Sequence, residues 1–270
     1  MRIVRFASPS GMSFGVLDGD GQVAQIEGHP FGAISFTGRR FPQADVRLLS
    51  PILPSKVVCV GKNYADHVQE MGTGEAPKEP LLFLKPSTSV IGPGDAIRIP
   101  PGSTDVHHEV ELAVVIGARG ARNVTPEQVP SAIFGYSIGN DVTERDWQRS
   151  DGQWTRAKGA DSFCPLGPWI ETDLPGIGKD PADLELTCTV DGELRQRGRT
   201  SRLIFDVPTL VSYISQVMTL LPGDVVLTGT PAGVGPIRAG QRVEAAIEGL
   251  GTLTSSVADA GPESTAGGGR

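Results

Sequence analysis

The chain has 270 residues, with 24 Lys+Arg against 31 Asp+Glu, a formal charge of −7 and a pI near 5.2. That length allows one or two domains with a substantial core, and the acidic balance lacks the basic footprint of a nucleic-acid binder. No apolar run reaches the roughly 18 residues of a membrane span, the opening Met1-Arg2-Ile3-Val4-Arg5-Phe6 has no signal-peptide core, and three cysteines without a CxxC pair point to a reduced, cytoplasmic protein.

The 35 glycines and 22 prolines are scattered between short apolar runs, the pattern of a β-rich fold with many tight turns. Strands are expected at 3–6, 13–17 and 22–26, the last two joined by the turn Asp18-Gly19-Asp20-Gly21. They are assigned to a small N-terminal β-rich domain, residues 1–52, with Pro51 and Pro54 marking the linker. A larger unit is expected over 53–258. It opens with a buried strand at 56–60 and a short helix, for which Asn63 is the expected cap and Gly72 the stop. Another buried strand is expected at 81–85. One long strand is read over 106–116 and another over 133–140. Between them Thr125-Pro126-Glu127-Gln128 reads as a capping box.

A hairpin is expected across Asp191-Gly192, and a main helix over about 207–221 with Asp206 as its cap. Leu210, Val211, Ile214, Val217, Met218 and Leu221 fall on one face of that helix. A strand at 225–227 leads into a Gly-rich loop, and residues 259–270 read as a disordered tail.

The stretch His107-His108-Glu109-Val110-Glu111-Leu112-Ala113-Val114-Val115-Ile116 is the most informative. Alternate side chains of a strand share a face, so Glu109 and Glu111 stand side by side on an otherwise apolar strand. Close like charges repel, and burial worsens the repulsion. Either one carboxyl is protonated, or the face is wet, or a cation lies between them. Asp141 follows the strand expected to pair with this one and supplies a third carboxylate. Three oxygen donors suit a hard ion such as Mg²⁺ or Mn²⁺, with positions left for water and substrate. Zinc would call for His or Cys at recognisable spacing, which is absent. Taken alone, Asp141 also fits a carboxylate at a helix N-terminus.

At these residues the chain resembles the fumarylacetoacetate hydrolase superfamily. His107, Glu109 and Glu111 match its His-x-Glu-x-Glu strand, and Asn140-Asp141-Val142-Thr143-Glu144-Arg145-Asp146 matches the stretch carrying its third metal ligand. Further matches are Gly61-Lys62-Asn63-Tyr64-Ala65-Asp66-His67, Phe83-Leu84-Lys85-Pro86, Thr155-Arg156-Ala157-Lys158 and Leu227-Thr228-Gly229-Thr230-Pro231, in the family's order over about 56–258. The resemblance implies a mixed, β-rich α+β fold of the fumarylacetoacetate hydrolase type, a β-sandwich or roll with few helices. It also implies a homodimer, with Mg²⁺ or Mn²⁺ held by Glu109, Glu111 and Asp141. The nearest branch contains acylpyruvases, oxaloacetate decarboxylases and 2-hydroxyhepta-2,4-diene-1,7-dioate isomerases.

His67 and Glu70 stand three apart on the expected helix, where a carboxylate fixes and strengthens an imidazole base. Alone the pair also fits an exposed helix face. The resemblance makes it a catalytic dyad on a lid, with Met71-Gly72-Thr73-Gly74 in the hinge. It likewise makes Lys158 an active-site lysine and places Lys85, Arg145, Gln148 and Thr230 at the substrate. Arg145 also has a simpler reading as an ion pair with Asp141. The expected reaction is C–C hydrolysis of an acylpyruvate-type 2,4-dioxo acid. Decarboxylation of a 2-oxo acid, dienol isomerisation and a non-catalytic 2-oxo-acid-binding role stand as alternatives. The three tryptophans read as packing residues, and the three cysteines carry no nucleophile signal.

Overall fold

The computed structural model of the chain describes residues 1–72, 75–174 and 181–261. Strands dominate, as the composition implies. In the large sheet they run in the order Phe36–Pro42, Gln22–Ile26, Gly11–Leu17, Arg2–Ser8, Cys164–Glu171, Ile133–Asn140, Val110–Ile116, Val225–Leu227, Val57–Gly61, Leu81–Lys85. A second sheet holds Glu193–Arg199, Glu185–Val190, Arg242–Ile247, Gly251–Asp259 and Ala96–Ile99. A small third sheet pairs Val106–His108 with Thr143–Glu144 and Gly235–Pro236. Among the described residues no helix is long and apolar enough to cross a membrane.

The two large sheets are pressed together by the alternation of the central strand. Val110, Leu112, Val114 and Ile116 point into one core with Leu186, Val190, Val243 and Leu253 of the second sheet. Ala113 and Val115 point the other way, into a separate cluster with Val57, Cys59, Val225 and Leu227. A strand covered on both faces needs a continuous apolar run, which is what the sequence supplies. The N-terminal meander has its own small core of Val4, Phe6, Leu17 and Val23. It joins the sheet through Arg2 opposite Glu171 and Ile3 opposite Ile170.

Several expectations are corrected. The strand expected over 106–116 is two strands that part at Glu109. Val106 and His107 pair with Thr143–Glu144, whereas Val110 onward pairs with Ile133–Asn140. The ladder therefore changes partners where the second chain turns at Asp141. The broken backbone is satisfied by side chains: Glu109 N donates to Asn140 Oδ1 at 2.9 Å, and Val110 N to Gln196 Oε1 at 3.0 Å.

The Leu81–Lys85 strand is an edge, not a buried strand, and of its five residues only Lys85 is buried. Asn63 does not cap the Ala65–Glu70 helix; Tyr64 holds that position without a side-chain bond. The Asn63 amide is a buried strut instead. It donates to Thr228 O and Phe205 O and accepts from Phe205 N, tying the helix's approach to the Gly-rich loop.

The main helix stops at Val217, with Asp206 capping it by accepting from Thr209 N at 2.9 Å. Leu210, Val211 and Ile214 are buried, but Val217 and Leu221 are exposed. The capping box at Thr125–Gln128 is present and opens a single turn followed by the short Val129–Ala132 helix. The Gly251–Asp259 strand reaches the start of the expected tail; residues 262–270, like hinge residues 73 and 74, lie outside the described residues.

Candidate active site

Glu109, Glu111 and Asp141 converge: one oxygen from each lies within 4.8 Å of the others, and all three residues are buried. Glu109 sits at the break between its two strands, Glu111 one alternation further on. Asp141 follows the Ile133–Asn140 strand and is anchored by Asp141 N donating to Glu109 O at 2.9 Å. Thus the same partner change that breaks the ladder brings the third carboxylate beside the first two.

Three buried cations surround the triad. Lys158 Nζ donates to Glu109 Oε2 at 2.8 Å and to Asp141 Oδ2 at 2.6 Å. Arg145 Nη2 donates to Glu109 Oε1 at 2.5 Å, so the Asp141–Arg145 ion pair open in the sequence is not formed; Glu109 takes the guanidinium. Lys85 Nζ lies 2.7 Å from Asp141 Oδ1, in ion-pair contact but off the hydrogen-bonding direction. Its protons go to the carbonyls of Val142, Phe163 and Lys158. A buried ammonium costs several kcal/mol to desolvate, and this full set of acceptors offsets it. Lys85, assigned to substrate contact from the sequence, is corrected to a support beneath Asp141, fully buried and away from the cavity lining.

The electrostatics are uneven. Burial alone would raise the Glu109 carboxyl, but Lys158, Arg145 and His67 outweigh it and hold Glu109 well below the usual carboxylate range. Glu111 is pushed well up, by burial first and then by Asp141 and Glu109. It forms no ion pair among the described residues and accepts only from Gly229 N, at 2.6 Å. That approach requires a glycine: φ is +102°, and a Cβ would stand 2.7 Å from Asn63 Cβ. Lys158 is raised, because Asp141 and Glu109 overcome the opposing effect of burial.

Facing the triad is a cavity of about 180 Å³. His67 lines it, with Nδ1 3.0 Å from Glu70 Oε2. Glu70 is itself held, accepting from Gly233 N at 2.9 Å, so the short helix is docked on the Gly-rich loop. With Nδ1 donating to Glu70, the neutral imidazole leaves Nε2 as its acceptor. Arg145, Gln148, Lys158 and Thr230 also line the cavity. The Arg145 guanidinium donates to Gln148 Oε1 at 2.9 Å. The Thr230 hydroxyl donates to Val110 O and accepts from Gln196 Nε2, so its proton is committed within the protein.

Sequence reasoning missed Gln196 and Trp154. The fully buried Gln196 amide accepts from His108 Nδ1 and Val110 N and donates to Thr230 Oγ1 and Pro231 O. It ties the second sheet to both the broken strand and the Gly-rich loop. Its sequence setting, one polar residue among several in a hairpin strand, carries no signal. Trp154 was read as packing but lines the cavity. The cysteines are buried, and burial pushes their thiols up, Cys164 and Cys188 to about 12, which leaves no thiolate for chemistry.

The family model for the fumarylacetoacetate (FAA) hydrolase C-terminal region matches residues 56–258, and an Rv2993c-like N-terminal model matches residues 1–51. The chain belongs to the fumarylacetoacetate hydrolase family. Among solved members of this family, the 5-carboxymethyl-2-hydroxymuconate delta-isomerase of Mycobacterium smegmatis superposes with a TM-score of 0.89 at 55% identity, over 96% of this chain and all of its own. The mitochondrial oxaloacetate decarboxylase of Dictyostelium discoideum is 46% identical over 73% of this chain and 90% of its own. A maleylpyruvate hydrolase of Sphingobium sp. SYK-6, solved with manganese(II) and pyruvate, is 31% identical with a TM-score of 0.77, over 96% of this chain and 99% of its own. Fumarylacetoacetate hydrolase family members thus include hydrolases, isomerases and decarboxylases. The residues present here fit a divalent metal: three buried oxygen donors converge, and among the described residues Glu111 forms no ion pair.

Proposed function

We propose that this protein is a metal-dependent hydrolase that cleaves the C3–C4 bond of a small acylpyruvate-type 2,4-dioxo acid, giving a carboxylic acid and pyruvate. The observation that carries this reading is His67, oriented from behind by Glu70, standing on the same small cavity as the carboxylate triad. Mg²⁺ or Mn²⁺ held by Glu109, Glu111 and Asp141 supplies Lewis acidity toward the substrate's carboxylate and 2-oxo oxygens. Glu70 keeps His67 in the tautomer with Nε2 free. His67 Nε2 accepts a proton from a water as the water's oxygen adds to C4. The C3–C4 bond breaks, its electron pair staying on the three-carbon fragment, and the proton returns to C3. Lys158 holds Glu109 and Asp141 in place and presents positive charge to the anionic substrate. Arg145 and Gln148 hold the far end.

Decarboxylation of oxaloacetate is the second reading, favoured by the 46% identity to an oxaloacetate decarboxylase. It uses the same 2-oxo acid head but requires no attacking water. An isomerase reading, the activity of the M. smegmatis relative, needs only a proton shift and leaves no water for the dyad to activate. The test is pyruvate release from acetylpyruvate and from oxaloacetate, with Mg²⁺ or Mn²⁺ and with chelator. Chelator-sensitive release from acetylpyruvate supports hydrolysis. Release from oxaloacetate alone transfers the site to decarboxylation, and release from neither removes both.

A further inference from the structure

The catalytic cavity is lined by charged groups and by a smaller apolar set. The apolar set is Val60, Gly61, Met71 and Trp154, with Gly61 and the indole in contact. Trp154 also lines a wider groove of about 560 Å³, together with Leu82, Phe83 and Met218. Among the described residues, Trp154 alone is common to the linings of the two spaces. It stands edge-on to Phe83, with centroids 5.4 Å apart at 72°. Phe83 in turn lies under Lys158, whose Nζ is 4.9 Å from the ring centroid. On the opposite side the indole rests flush against backbone. A Cβ on Gly61 would stand 2.9 Å from Trp154 Cζ3 and 3.4 Å from Leu81 Cδ2. The indole is therefore held between Phe83 and the Gly61 backbone.

We propose that Trp154 sets the length of the acyl group this site accepts, and that the groove beyond it is a subsite for a straight apolar tail once the indole is removed. The inference rests on the 2-oxo acid reading above. The charged groups engage the carboxylate and oxo oxygens of the head, which leaves the acyl substituent to the apolar lining residues, of which the indole is the bulkiest. The groove offers a tail apolar neighbours without charged groups in its lining. A single methylene admitted or refused by an apolar pocket changes kcat/KM by about 10–200-fold.

The experiment compares kcat/KM for acetylpyruvate and for 2,4-dioxooctanoate in the metal-loaded protein and in Trp154→Ala and Trp154→Phe. The long-to-short ratio should rise about tenfold or more in Trp154→Ala and by less in Trp154→Phe, which keeps an aromatic contact with Phe83. An unchanged ratio in variants that still turn over acetylpyruvate overturns the gate. Trp154→Phe keeps the question open to measurement where Trp154→Ala fails to fold. Where the unmodified protein hydrolyses neither substrate, the hydrolase reading fails separately. The gate is then read from calorimetric affinities for pyruvate and 2-oxooctanoate in the presence of Mn²⁺: a tenfold shift of that ratio in the variants supports it, and no shift or no binding overturns it.

Discussion

Glu109, Glu111 and Asp141 stand on or beside the central strands of the large sheet, with three cations and several backbone groups in contact. His67 and Glu70 stand on a six-residue helix and have essentially each other and Gly233 N. The Glu70 side chain is 31% exposed, whereas those of His67 and Asp141 are 9% and 1% exposed, and His67 meets water through the cavity it lines. The contrast shows what each task requires of the protein. Three like charges hold together only where opposite charges and hydrogen bonds are fixed around them at low dielectric. A base that exchanges protons with water must keep a way out to it, and one orienting carboxylate is enough.

Three variants test that contrast, beginning with the largest effect. Lys85→Met should destabilise the fold by about 3–5 kcal/mol, because it strips a buried partner from Asp141 and removes a donor from the carbonyls of Val142, Lys158 and Phe163; urea unfolding measures this. A loss below about 1 kcal/mol would mean the frame does not depend on this cation. His67→Ala should lower kcat by about 10²–10⁴-fold while the urea midpoint stays close to that of the parent protein. A midpoint that falls as it does in Lys85→Met would make the dyad part of the frame and abolish the distinction.

The smallest effect concerns His108, directly behind the carboxylate strand. Burial pushes its imidazole down to about 4, only partly opposed by its hydrogen bond to Gln196. The unfolded chain takes the proton first, near 6.5. Stability from neutral His108 is thus complete above pH 6.5 and is lost as pH falls toward 4, by about 3 kcal/mol. His108→Asn, which keeps a donor toward Gln196, should show a flatter fall in unfolding free energy over that window. Parallel curves for the two proteins would refute the assignment.

The carboxylate centre was largely legible because Glu109 and Glu111 are two apart on a run that reads as strand, and Asp141 directly follows the Ile133–Asn140 strand, even though the ladder itself breaks at Glu109. What was not legible depended on tertiary partners. Lys85 at the end of an apolar strand looks the same whether its ammonium reaches substrate or three carbonyls. Asn63 carries a helix-capping signal, but Thr228 and Phe205, far along the chain, claim its amide. The helix from Val207 was overextended because the apolar period continues through Leu221, although the backbone is already extended at Met218. The break at Glu109 leaves no mark in the sequence, since it arises from two different neighbouring strands.

The Val110–Ile116 strand is sealed by one apolar cluster on each face. No local opening can uncover its middle without parting two cores at once, so the amides of Leu112 to Val115 exchange with deuterium only when the entire molecule unfolds. Isotope uptake at those four positions is therefore a gauge of global free energy, whereas uptake around His67 reports the docking of one short helix.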